Sequence, residues 1–123
     1  RLLNTNYGYN LVVDNIFGID TKKHSIMALQ NEFNWQLGSG LVVDGIFGHA
    51  TKNACPNLVV GMSGNITKNV QYMLSIKGYS VGNYGIDGIY GEDTKNTVVN
   101  FQRDNGLVVD GICGANTFEK LFN

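Results

Sequence analysis

The side chains able to do chemistry are few. His24 and His49 are the two histidines, and Cys55 and Cys113 the two cysteines. Hydrolysis at a zinc ion needs three ligands and a base in a cleft, and no HxxxH, HxxxD or Cys/His spacing supplies them. No metal site and no cofactor are expected, and both histidines read as surface residues. The cysteines lack a CxxC partner and are too few for a disulfide framework. They read as free, buried thiols near helix ends, without the motif of a nucleophile. Paired carboxylates for glycoside cleavage would have to come from Glu32, Glu92, Asp93, Asp104 or Glu119, all on polar helix faces turned to solvent. Calcium would need oxygen ligands at alternate loop positions. Asn83, Asp87 and Gly88 come nearest to that pattern, and other copies of the same turn carry Val-Val where ligands would stand. No catalytic residue is expected.

Recognition asks for less. A saccharide is held by an aromatic ring against its apolar face, with amides and carboxylates around it. Tyr79, Tyr84 and Tyr90, with Asn83 and Asp87, cluster around one loop and supply those groups. Gln71 and Gln102 are candidate groove residues. Each has a plainer alternative: a buried tyrosine with a bonded hydroxyl, or a glutamine capping backbone groups. Trp35, Phe47 and Phe101 fall on core faces and read as packing.

The elements that position these residues are announced by a repeat. Asp14-Asn15-Ile16-Phe17-Gly18 leads to Thr21, and Asp44-Gly45-Ile46-Phe47-Gly48 to Thr51. Asp87-Gly88-Ile89-Tyr90-Gly91 leads to Thr94, and Asp110-Gly111-Ile112-Cys113-Gly114 to Thr117. Asp-Gly is a turn dipeptide, because Asp bonds the neighbouring backbone and Gly accepts positive φ; Asn15 is the best substitute for that glycine. The apolar pair after it is expected to enter a core. The second Gly suits an N-cap, with the Thr bonding back to it. Each unit is thus a tight turn that launches a helix.

Apolar residues then recur at helical spacing. Ile66, Val70, Met73 and Leu74 form one stripe that stops at Gly78. Thr94, Val98, Phe101 and Asn105 form a second, ending at Asn105-Gly106, and Phe118, Leu121 and Phe122 close the chain. Residues 58–123 therefore read as helix, turn, helix, turn, helix. The first half, 1–57, follows the same plan with two differences. Trp35-Gln36 aligns with Phe101-Gln102 when both are counted back from the Asp-Gly turn, yet seven extra residues lie between the first pair of turns, enough to lengthen the helix by two turns. Arg1 to Asn4 resembles only the last turn of a first helix. Such a half-bundle would leave apolar surface exposed, so a homodimer is a further expectation.

Bulk composition agrees with a folded domain. The 123 residues are 43% hydrophobic and 15% charged, with a net charge of −1. No basic stripe provides the footprint of a nucleic-acid binder, and no run approaches the roughly 18 apolar residues that cross a membrane. The expected fold class is all-α, with two tandem three-helix-bundle repeats at 1–57 and 58–123, the first truncated at its first helix.

In order and spacing these residues resemble the peptidoglycan-binding domain family found in tandem on cell-wall hydrolases. Gly61, Gly64, Val70-Gln71, Leu74 and Gly78-Tyr79 stand at the family's characteristic places, followed by Asp87 to Thr94, Phe101-Gln102 and Asp110 to Thr117. The resemblance implies a three-helix bundle that recognises peptidoglycan or an associated cell-wall glycopolymer and tethers an upstream catalytic domain there. Its usual hosts are bacterial amidases, lysozymes and peptidases, including autolysins and phage endolysins, and the frequent asparagine suits a Firmicute or its bacteriophage. Location at the bacterial cell wall follows, outside the cell, or in the host cytoplasm before release for an endolysin. The alternative is a dimerisation or protein-interaction module of a lysin. Departures are the truncated first helix, the seven-residue insertion and Cys113 in an aromatic position.

Overall fold

The computed structural model describes residues 19–82 and 85–123, and within them the protein is all-α, with five helices. They are α1 (Ile19–Leu37), α2 (His49–Ala54), α3 (Asn65–Ile76), α4 (Glu92–Asp104) and α5 (Ala115–Phe122). The Asp14 turn and the Arg1–Asn4 helix remnant lie outside the described residues. Gly48, Gly91 and Gly114 are the N-caps of α2, α4 and α5, as their place in the repeat predicts. The C-termini of α3 and α4 are set by glycine too. Gly78 and Gly106 adopt φ of 92° and 71°, and the next residue reaches back five places: Tyr79 N–H donates to Leu74 O at 2.9 Å and Leu107 N–H to Gln102 O at 2.9 Å. This closure satisfies the last carbonyls and ends α3 and α4.

One core joins both halves of the sequence. Ile26, Leu29 and Phe33 of α1 are buried with Val70, Met73 and Leu74 of α3, Val98 and Phe101 of α4, and Phe118, Leu121 and Phe122 of α5. Phe33 meets Phe118 edge-on at 5.8 Å between centroids, and Phe47 stacks with Phe122 at 6.4 Å. Lys52 and Glu119 add an ion pair at 3.0 Å between α2 and α5. The apolar face of α1 is thus covered by the second half of the chain. Between the halves, Leu58 exchanges two backbone bonds with Cys113, both 3.0 Å, while Tyr90 N–H donates to Met62 O at 2.8 Å. The connecting segment is thereby tied to the turns that precede α4 and α5.

Several sequence expectations change in three dimensions. Trp35 is 66% exposed, not core, whereas Phe47 and Phe101 are buried. Glu32 is buried, not solvated; its carboxylate accepts from Asn65 Nδ2 at 3.4 Å and from Gln36 Nε2. Of the apolar pair in each described turn only the second member enters the core. Phe47, Tyr90 and Cys113 are buried, while Ile46, Ile89 and Ile112 face solvent. His49 is exposed and His24 half-buried.

The Asp-Gly glycines show why that dipeptide is required. Gly88 has φ +77°, and a Cβ there would lie 2.9 Å from Lys68 Cγ and 3.2 Å from the Gly64 carbonyl oxygen. Gly88→Ala should cost more than the roughly 1–2 kcal/mol of left-handed strain alone. Gly38→Ala, at φ +63° in open space, should show only the strain. Urea midpoints with unchanged slope measure the difference; equal losses would mean that the close approach is unimportant.

Candidate functional site

Beneath each described Asp-Gly turn sits one buried glutamine that holds the whole turn. Gln71 Oε1 accepts from Gly88 N–H at 2.9 Å, and its Nε2 faces Asp87 Oδ1, Ile89 O and Thr94 Oγ1 at 3.2, 3.1 and 2.9 Å. Gln102 repeats this with Gly111 N–H, Asp110, Ile112 O and Thr117 at 2.9–3.0 Å. Gln30 repeats it again with Gly45 N–H, Asp44, Ile46 O and Thr51 at 3.0–3.1 Å. Within the turn, each Asp Oδ1 also accepts from the N–H two residues on, at 2.9–3.0 Å. The threonines therefore bond inward to the glutamine, Thr51 and Thr94 also to the isoleucine carbonyl, and do not cap their glycines: no side-chain cap bond forms at α2, α4 or α5.

The first clasp corrects the alignment of the halves. Gln30, not Gln36, is the counterpart of Gln102. Gln30 precedes Asp44 by 14 residues and Gln102 precedes Asp110 by 8, so most of the insertion lies after the glutamine. Those residues extend α1 to 19, against 13 for α4. The chain is then brought back by Asn34, whose Oδ1 accepts from Leu41 N–H at 2.6 Å and whose Nδ2 donates to Leu41 O at 2.9 Å. Six residues on a helix turn a side chain by about 120°, which carries Trp35 and Gln36 off the buried face that Leu29 and Gln30 occupy.

Outside each clasp lies an open cleft, and the three have equivalent walls: the turn Asp, the exposed Ile, the N-cap Gly and the Thr. The cleft at Asp44, Ile46, Gly48 and Thr51 has a volume of about 610 Å³ and is rimmed by His49 and Asn53. That at Asp87, Ile89, Gly91 and Thr94 is about 410 Å³, with Val81, Glu92 and Asp93. That at Asp110, Ile112, Gly114 and Thr117 is about 300 Å³, with Asn57, Val108 and Asn116. Each offers an aliphatic surface beside a carboxylate and the first turn of a helix. Such a site suits a small apolar group carried next to hydrogen-bonding amides.

The seven residues singled out from sequence do not converge. Tyr90 is fully buried, its hydroxyl donating to Gly111 O at 2.7 Å, and burial pushes its phenol well up. Gln71 and Gln102 are equally interior, so none of the three presents a face to a polymer. Tyr79 packs edge-on to Phe101 at 5.5 Å and donates to Asp104 at 2.8 Å, at the far end of α4. Asp87 bonds Gln71 beside Thr94. Ten residues of α4 separate Thr94 from Asp104, about 15 Å at 1.5 Å per residue. Asn83 and Tyr84 lie outside the described residues. What sequence reasoning missed are the exposed isoleucines and the indole of Trp35. The Ile at a fixed place in every copy was the available signal.

The electrostatics favour a passive site. Asp87 is held below its ordinary 3.8 by the Ile89 N–H and Gln71, and Asp44 likewise by Ile46 and Gln30. A carboxylate lowered in the folded state contributes stability that is complete above its unfolded value and disappears as pH falls through the folded one. The urea midpoint should therefore hold from neutrality to about pH 4 and decline below it. Asp87→Asn, which keeps an accepting oxygen, should flatten that decline; an unchanged acid limb would contradict the assignment. Burial, then the Glu119 charge, pushes the Cys55 thiol up to about 12, and burial also raises Cys113 well above its ordinary value. Neither is poised as a nucleophile. Among the described residues no cluster of His, Cys, Asp or Glu is placed to hold a metal ion, and no helix is long and apolar enough to cross a membrane.

Comparison with known proteins fits this geometry. Residues 63–121, which carry two of the three clasps, match the family described as "Putative peptidoglycan binding domain". A Bacillus licheniformis protein named "Probable N-acetylmuramoyl-L-alanine amidase" is 43% identical over 61 residues, which are 50% of this chain and 17% of that one. The N-acetylmuramoyl-L-alanine amidase CwlL of the same species is 36% identical over 72 residues, 58% of this chain and 20% of that one. The chain thus spans about a fifth of the length of these relatives. A crystal structure of a peptidoglycan-binding protein from Clostridioides difficile, in complex with glutamine hydroxamate, is 44% identical. It covers 54% of this chain and 40% of that one, with a TM-score of 0.49.

Proposed function

We propose that this chain is a non-catalytic module that binds bacterial peptidoglycan through its repeated clefts and keeps an attached hydrolase on the wall. The observation that carries it is the threefold recurrence of one cleft, two copies of which lie in the segment assigned to the peptidoglycan-binding family. A wall polymer repeats the same methyl-bearing amide units along its length, so several weak, equivalent sites gain avidity on it. Trp35, with most of its ring exposed, offers a further stacking surface. The amidase relatives match only over about a fifth of their length, which supports a binding part beside a separate catalytic part.

Co-sedimentation with purified, acid-stripped sacculi tests this. The wild-type chain should be retained as a monomer without clearing the suspension. Ile46→Asp, Ile89→Asp and Ile112→Asp change exposed side chains, so folding should be nearly unaffected. Together they should weaken retention at least tenfold, about 1.4 kcal/mol. Undiminished retention by the triple variant would remove the clefts from the contact surface. Binding only by a concentration-dependent dimer would favour the interaction-module alternative.

A further inference from the structure

The described turns are built on a chemically labile dipeptide. Each needs glycine for its positive φ, 72–77° at Gly45, Gly88 and Gly111, and aspartate to accept from the N–H two residues on. In an Asp-Gly pair no side chain on the glycine shields its nitrogen, which can attack the aspartate side-chain carbon. A bond forms between the Gly nitrogen and Asp Cγ, the carboxyl hydroxyl leaves as water with the amide hydrogen, and a five-membered imide results. Water then opens the ring at either carbonyl. One opening returns aspartate; the other gives isoaspartate, whose main chain runs through Cγ and is longer by one methylene. Burial does not shield the carboxyls: Asp44 and Asp110 are exposed and Asp87 is half-buried. The clasp, however, bears on both reacting groups. Each Gly N–H is held by a glutamine Oε1 at 2.9–3.0 Å. Each Asp Oδ1 is held by Nε2 of the same glutamine at 3.0–3.2 Å and by the isoleucine N–H at 2.9–3.0 Å. One planar amide thus spans nucleophile and electrophile, and bringing them together breaks its bonds to both. The Ile89 N–H and Gln71 also hold the Asp87 carboxyl below its ordinary value, as Ile46 and Gln30 do for Asp44. The ionised form lacks the hydroxyl that must leave as water.

We propose that Asp44, Asp87 and Asp110 are latent isoaspartate sites, each kept in its normal linkage by the glutamine that clasps its turn. Gln30, Gln71 and Gln102 thereby guard the chemistry of the turns as well as their shape. In isoaspartate the Cγ carbonyl has become main chain and its oxygen is displaced, so the clasp cannot re-form around it. The exposed isoleucine then loses its place at the cleft, and the module loses one of its clefts. The inference rests on the clasp geometry alone and is independent of what the clefts bind.

The test incubates the 123-residue chain in heavy-oxygen water at mildly acidic pH, folded and in urea, and reads each Asp-Gly peptide separately by mass spectrometry. Fragmentation identifies isoaspartate, and the label also marks imides that reopened to aspartate. Folding should slow all three sites roughly tenfold or more, because reaction passes through the open turn and scales with its population. Gln71→Ala should restore fast conversion at Asp87 alone, Gln30→Ala at Asp44 alone and Gln102→Ala at Asp110 alone, with the amide spectrum certifying the rest of the fold. Gln71→Glu, which keeps an acceptor for the Gly88 N–H but no donor for Asp87, replaces the alanine variant if that one unfolds, and should also act at Asp87 alone. Gln36→Ala should accelerate none of them. Phe118→Ala leaves the clasps in place and separates guarding from stability: any acceleration it causes should be shared by the three sites. Wild-type Asp87 converting as fast folded as in urea overturns the inference. So does a folded glutamine variant that accelerates all three sites alike. Sacculus retention is not used, so failure here and failure of the peptidoglycan reading are separate results.

Discussion

Phe118→Ala is expected to cost about 3–5 kcal/mol and to lower the stability of both halves of the chain in one transition. Phe118 is fully buried, meets Phe33 of α1 edge-on at 5.8 Å, and stacks on Phe122 at 6.1 Å. Truncation removes the transfer free energy of a ring and leaves a cavity whose walls belong to helices from both halves, so collapse around it is limited. For a domain of this size such a loss shifts the thermal midpoint by 10 °C or more, at roughly 4 °C or more per kcal/mol. Calorimetry and two spectroscopic probes, one of them Trp35 in the first half, should give coincident transitions. A first half that melts independently, leaving the second unchanged, would contradict the single core.

Gln71→Ala should be nearly as damaging for a different reason. The side chain pairs with the buried Gly88 N–H and the Thr94 hydroxyl, besides the Asp87 carboxylate and the Ile89 carbonyl. Unpaired buried groups cost about 1–3 kcal/mol each, so a loss on the order of 2–4 kcal/mol is expected. The clefts should fail with it, because the turn that carries Ile89 loses its anchor. The same logic separates the two glutamines of α1. Gln30→Ala should abolish hydrogen-exchange protection at the Asp44 and Gly45 amides, which donate to Gln30 at 3.1 and 3.0 Å. Gln36→Ala should leave both protected, since Gln36 meets Glu32 and no part of the turn. The reverse outcome would restore the alignment by distance to the Asp-Gly turn.

Sequence alone determined what is encoded within a few residues. The Asp-Gly dipeptides announced turns because only glycine takes positive φ cheaply, and Gly45, Gly88 and Gly111 adopt φ of 72–77°. The stripes ending at Gly78 and Gly106 announced α3 and α4, and with them the all-α class and the family resemblance. Tertiary structure decided everything that depends on reach. Trp35 and Gln36 stand at the right distance from their turn, but a helix longer by six residues rotates them away, and only the packed position of α1 shows that Gln30 makes the clasp. Tyr90 and Ile89 are adjacent and both apolar in part. The antiparallel bond from Tyr90 N–H to Met62 O belongs to the packing that turns the ring in and leaves the aliphatic chain out. Glu32 and Phe33 are buried by α3 and α5, from the other half of the chain, which no local pattern in α1 could report. The turns are local agreements between neighbouring residues, whereas the surface that meets a ligand is what remains after distant elements have covered each other.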